Sequence, residues 1–89
     1  MRTVISIVGK DTVGIIAKVS DVCAKRNVNI IDITQSVLKD IFAMVMLTDI
    51  SKMNVPMPEF TQSLKDLGDS LGLDIRVMHE DVFNSMHRI

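Results

Sequence analysis

"GKDTVGIIAKVSDVCAKRNVNIIDITQS", Gly9 to Ser36, sets two periodicities side by side. In its first half Ile15, Ile16, Val19, Val22 and Cys23 recur at helical spacing, with Lys18, Asp21 and Lys25 on the opposite side. That is the pattern of an amphipathic helix with one buried stripe. In its second half the period drops to two, as Asp32, Thr34 and Ser36 alternate with Ile31, Ile33, Gln35 and Val37. A strand from Val28 to Leu38 with one polar face reads this way. Asp11 or Thr12 suits the N-cap of the helix, and Asn27 suits the left-handed residue that ends it.

Working outward from this stretch, Thr3 to Val8 are β-branched or small and predict a buried first strand. On the other side, Lys39 and Asp40 form a two-residue turn into "IFAMVMLTDI", Ile41 to Ile50, which predicts a β-hairpin. This third strand is apolar on both faces, with Ile41, Ala43, Val45 and Leu47 on one and Phe42, Met44 and Met46 on the other. A central strand covered on both sides has that composition. The reading here puts Phe42, Met44 and Met46 on the face away from the helices, so that the tail or a second subunit must cover them. Two prolines in "SKMNVPMP", Ser51 to Pro58, break the pattern. Phe60, Leu64, Leu67 and Leu71 then mark a second amphipathic helix ended by Gly72. A fourth strand runs from Leu73 to about His79, and the tail carries a short apolar stripe of Val82, Phe83, Met86 and Ile89 behind a possible cap at Asp81.

The order β-α-β-β-α-β predicts an α+β, ferredoxin-like fold: a four-stranded antiparallel sheet with two helices on one face, plus a short C-terminal helical tail. Residues 1–80 form the one domain and 81–89 the tail, which is expected to dock on it. Eighty-nine residues leave room for little else.

Composition narrows the function. Tyr and Trp are absent, Phe occurs three times, and the formal net charge is −1. Single-stranded nucleic acid is held by aromatic stacking and a basic groove, so direct nucleic-acid binding is not expected. A single cysteine, Cys23, allows no internal disulfide and fits a reducing cytoplasm. The apolar run in "MRTVISIVG" is too short for a signal peptide or a membrane span.

The turn "GKDTVG" does not carry a nucleotide motif. Ile15 and Ile16 follow Gly14 where a phosphate-binding loop needs Lys and Ser or Thr, and Gly9 and Gly14 do not make G-x-G-x-x-G. Its backbone N–H groups from Thr12 to Ile16, opening into a helix, can receive a carboxylate; equally, the two glycines can serve only to relieve crowding. No metal site is expected, because there is no C-x-x-C and the spacing of His79, Glu80, Asp81 and His87 matches none. No nucleophile, base and acid are grouped, and the turn offers Lys10 but no arginine, so neither an enzyme nor a cofactor is expected.

Asp11, Gly14, Ile15, Asn29 and Ile30 resemble the signature of the ACT domain family, a D-x-x-G-[IL] turn followed by an N-I pair on the second strand. Val13 stands where many members have proline. The resemblance covers residues 2 to 80, and with its tail the chain is similar to the small single-domain bacterial ACT proteins akin to the glycine cleavage regulator. It implies a stand-alone regulatory module that works as a homodimer, binds an amino acid or similar small ligand at the dimer interface, and modulates a separate protein partner. The ligand would lie between Asp11, Thr12, Val13, Gly14 and Ile15 of one subunit and Asn29, Ile30, Ile31 and Asp32 of its neighbour. Asp11 and Asp32 could receive an ammonium, or they could act as a helix cap and a solvated strand residue. The other reading of the chain is a protein–protein interaction module that binds no ligand.

Overall fold

Strand β1 (Arg2–Lys10) occupies an inner position in the sheet, with β3 (Ile41–Asp49) on one side and β4 (Leu73–His79) on the other. The computed structural model describes residues 1–10 and 13–86. Strand β2 (Asn29–Leu38) completes a four-stranded sheet in the order β2-β3-β1-β4, and every neighbouring pair is antiparallel. Helices α1 (Ile15–Lys25) and α2 (Met57–Leu71) lie on one face, and a short helix α3 (Glu80–Met86) follows β4. This is the βαββαβ arrangement expected from the periodicities.

The core forms where the stripes of the two helices meet the sheet. Val19 and Cys23 of α1, Phe60 and Leu64 of α2, Ile5 and Ile7 of β1, and Met44 and Met46 of β3 are almost fully buried in one cluster. Ile16 is the exception on the apolar side of α1 and remains partly exposed. Burial pushes the Cys23 thiol up to about 11 from its ordinary value, consistent with a thiol that packs as a small apolar group.

One face assignment is reversed. The register pairs Ile5 with Met46 and Ile7 with Met44, so Phe42, Met44 and Met46 point toward the helices, while Ala43, Val45 and Leu47 take the outer face and are half-buried. Alternation in a strand that is apolar on both faces carries no sign, and only the pairing with β1 supplies one.

The β2–β3 hairpin closes as expected. Leu38 pairs with Ile41, and Lys39 takes φ +59°, supplying the left-handed residue that a tight turn needs. At the other end of the chain, α3 starts at Glu80 rather than behind Asp81. The acceptor that caps it is His79, whose Nδ1 receives the backbone N–H of Asp81 at 3.0 Å. An ion pair between Arg2 Nη1 and Glu80 Oε2 at 3.3 Å ties the helix to β1. Val4, which alternates to the outer face where α3 lies, is only 2% exposed. The stripe residue Ile89 lies outside the described residues.

Candidate functional site

The residues singled out in the sequence fall at opposite ends of the sheet. Lys10, Ile41 and Leu38 are linked in register at the end where the first turn lies. Arg2, Asp49 and Asn29 are linked at the other end, where β2 begins. Nine residues of β1 separate the two, roughly 26 Å at the usual rise of a strand.

At the turn end, Asp11 and Thr12 lie outside the described residues, and Val13 is 95% exposed. Gly14 takes φ +85° and is itself the N-cap residue of α1, in place of the Asp11 or Thr12 anticipated. A left-handed N-cap is accessible to glycine at little cost. Its carbonyl accepts the N–H of Lys18 at 3.0 Å, and among the described residues no side chain caps the helix. The first N–H groups of α1 sit at the positive end of the helix dipole. Ile15 is 3% exposed and anchors the helix start in the core, so only its backbone is offered to the turn. Gly9 has a packing role: a Cβ there would come within 2.6 Å of Leu73 Cδ2.

At the β2 end, Asn29 lines a cleft of about 440 Å³ together with Asn27, Asp49, Ser51 and Lys52. Asn27 takes φ +58° just beyond α1, and its Nδ2 donates to the Lys52 carbonyl at 2.8 Å. That bond joins the end of the helix to the loop after β3. The Asp49 carboxylate accepts the hydroxyl of Ser51 and, at 2.8 Å, its backbone N–H. Those bonds, the hydroxyl first, hold it below the usual carboxylate range. Lys52 makes no ion pair among the described residues. The cleft thus carries one fixed carboxylate, paired at 3.7 Å with the Met1 ammonium, and the ammonium of Lys52. Asp49 and Lys52 were not anticipated, although "TDIS" holds the D-x-S spacing of a carboxylate-closed turn and could have pointed to Asp49.

The remaining strand residues diverge. Ile30 is half-buried beside the core, and Ile31 is the extra residue of a β-bulge between the pairs Ile30–Thr48 and Asp32–Leu47. The bulge turns Asp32 to the outer face, where its Oδ1 accepts the N–H of Ile33 at 2.8 Å.

β2 is an edge strand, and it is exposed along nearly its whole length. Ile33 and Val37 leave exposed apolar side chains on the helix side of the hairpin, and Leu38 and Ile41 leave them on the outer side.

Comparison with known proteins bears on this geometry. The ACT domain family model matches residues 3–69, three quarters of the chain. The chain belongs to the ACT domain family. ACT domain proteins are regulatory ligand-binding domains. This ACT domain is 47% identical over 88 residues to a UPF0237 protein of Methanopyrus kandleri, covering 99% of this chain and 98% of that one. It is similar to the solved structure of an ACT domain protein from Streptococcus pneumoniae, with a TM-score of 0.79, 31% identity and 93% of each chain covered. A putative glycine cleavage system transcriptional repressor superposes with a TM-score of 0.73 and 25% identity, over 89% of this ACT domain and 47% of that chain. Among the described residues, no helix of the ACT domain is long and apolar enough to cross a membrane.

Proposed function

We propose that this ACT domain is a stand-alone regulatory module that binds an amino acid at the boundary between two copies of the chain and thereby modulates a protein partner, without chemistry of its own. The observation that carries the reading is the separation of the two half-sites. The start of α1 and Asn29 lie at opposite ends of one sheet, so no single copy can close a ligand between them.

A two-fold axis beside β2 resolves this. Antiparallel pairing of two β2 edges sets the Asn29 end of one copy beside the hairpin end of the other, which is the end that carries the turn. An unpaired edge strand without proline favours such pairing. The ligand carboxylate then meets the backbone of Asp11, Thr12, Val13, Gly14 and Ile15 from one copy. The ligand ammonium is received on the Asn29, Ile30, Ile31 and Asp32 side of the other, with Asp49 and Lys52 setting the local charge. Ligand binding that favours one arrangement of the two copies changes the surface offered to the partner by the same free energy.

The exposed apolar side chains on the two sides of the hairpin, Ile33 and Val37 on one and Leu38 and Ile41 on the other, support the second reading, in which that edge alone recognises a protein and the turn stays empty. Calorimetry with each of the twenty amino acids at millimolar concentration separates the two. Binding by at least one amino acid is expected, and it is lost in Gly14→Leu, whose side chain blocks the approach to the backbone and strains a residue at φ +85°. No heat from any of the twenty, together with partner capture that survives Gly14→Leu, would leave the interaction module as the better account.

A further inference from the structure

On the face of the sheet away from α1 and α2, the C-terminal helix encloses a notch of about 210 Å³. Its floor is Val4, Val45 and Leu47, and Phe83 and Asn84 of α3 form one side. Asp32 and Thr34 of β2 form the other, and the bulge at Ile31 is what brings Asp32 there. Had the pairing run without that extra residue, Asp32 would fall on the helix-covered face.

Among the described residues, the charge of the notch reduces to one group. Glu80 also borders it, but its carboxylate is paired with Arg2 at 3.3 Å. Asp32 makes no ion pair among the described residues, and its hydrogen bond from the Ile33 N–H at 2.8 Å holds the side chain in one orientation. One oriented carboxylate above an apolar floor and beside an aromatic side chain matches one chemistry, a cation carried on an aliphatic stem. The stem replaces water over Val4, Val45 and Leu47, and the carboxylate favours positive charge. An anion would meet Asp32, and a purely apolar group would leave that carboxylate without a counterpart. At about 30 Å³ for each water-sized group, the notch holds roughly seven non-hydrogen atoms.

We propose that this notch is a binding site for a small organic cation, a primary ammonium on an aliphatic chain of about five carbons. It shares Asp32 with the subunit-boundary reading, but it lies within one copy of the chain and makes no use of the turn at Gly14.

The test is a titration of the full chain with n-pentylamine near neutral pH, followed by amide NMR, with 1-pentanol as the neutral control. Saturable shifts are expected at Val4, Thr34, Phe83 and Asn84, with Gly14 unmoved, whereas an amino acid at the subunit boundary would shift Gly14. The alcohol is expected to bind about fivefold more weakly, as is the amine to Asp32→Asn, the upper range for a solvent-accessible charge pair. Asn84→Lys keeps a good helix former and lies outside the boundary site; its own ammonium is expected to weaken the amine by at least as much while the thermal melt stays unchanged. Equal binding of amine and alcohol overturns the proposal, as do shifts that spare the notch. So does a response to a lysine-containing peptide but not to the free amine.

Discussion

The two edge strands of the sheet, β4 and β2, differ in what covers them. β4 turns Leu73, Ile75 and Val77 under α2, and Gly68 allows the helix to press close. A Cβ at Gly68 would lie 2.8 Å from the Leu73 carbonyl oxygen and 3.1 Å from Ile75 Cγ1. β2 carries comparable apolar side chains on the same face, yet Ile33 is 37% and Val37 52% exposed. α1 meets β2 near its start, and the hairpin runs on past the helix layer. Backbone pairing therefore leaves both strands as edges, but only β4 has its side chains finished within the chain. Of the residues proposed for ligand binding, Asn29, Ile30, Ile31 and Asp32 belong to the unfinished side, where a second copy has the most to bury.

The comparison can be broken from the covered side first. Phe60 is fully buried in the first turn of α2, and Phe60→Ala should cost about 4 kcal/mol in urea denaturation, because it leaves a large cavity under the helix. Gly68→Val should cost about 2 to 3 kcal/mol, since the clash is with backbone and the helix must lift from β4. A loss near zero would mean that α2 does not seal this edge.

Cys23 reports how dry the covered face is. Its folded-state value is raised, so the stabilisation from keeping the thiol neutral is complete below its ordinary value of 9.0 and is lost as pH rises toward about 11. Equilibrium unfolding across that window should show a decline on the order of 2 kcal/mol, absent in Cys23→Ala. Rapid alkylation of the native protein at pH 8 would contradict the burial.

On the uncovered side, Val37→Lys should change the stability of a single copy by no more than about 0.5 kcal/mol, because the side chain already faces solvent. Sedimentation should nonetheless show loss of self-association. If the substitution cost as much as Gly68→Val at concentrations where the chain is monomeric, β2 would not be the bare edge described here.

The smallest effect belongs to Asp49, opposite Asn29. Its carboxyl is held below the ordinary value of 3.8 by the Ser51 hydroxyl and then the Ser51 N–H. The stabilisation is present above that value and is lost as pH falls through the lower folded-state one. Ser51→Ala should bring the Asp49 titration, followed by NMR, back toward 3.8.

Much of the fold could be read from single residues. The shift from a period near 3.6 to a period of two between Cys23 and Ile31 marks α1 and β2, and the Lys39–Asp40 turn sets the hairpin register. The candidate site was only partly legible. Gly14 and Asn29 stand in a recognisable pattern, but Asn27, Asp49 and Lys52 meet through chain folding across more than twenty residues, and no local spacing records that. Asp32 was legible as a polar strand residue, but the bulge that aims it at the notch leaves no mark in a run of Asn, Ile and Asp.

The order and type of the elements are already present in the chain's own pattern, because apolar periodicity reports which side of a helix or strand avoids water. Orientation comes only with folding: the inward turn of Met44 and Met46, the outward turn of Asp32, and the distance between the turn and Asn29. Each depends on which residues pair across strands far apart in the chain, and a pattern within one segment has no knowledge of its partner's register.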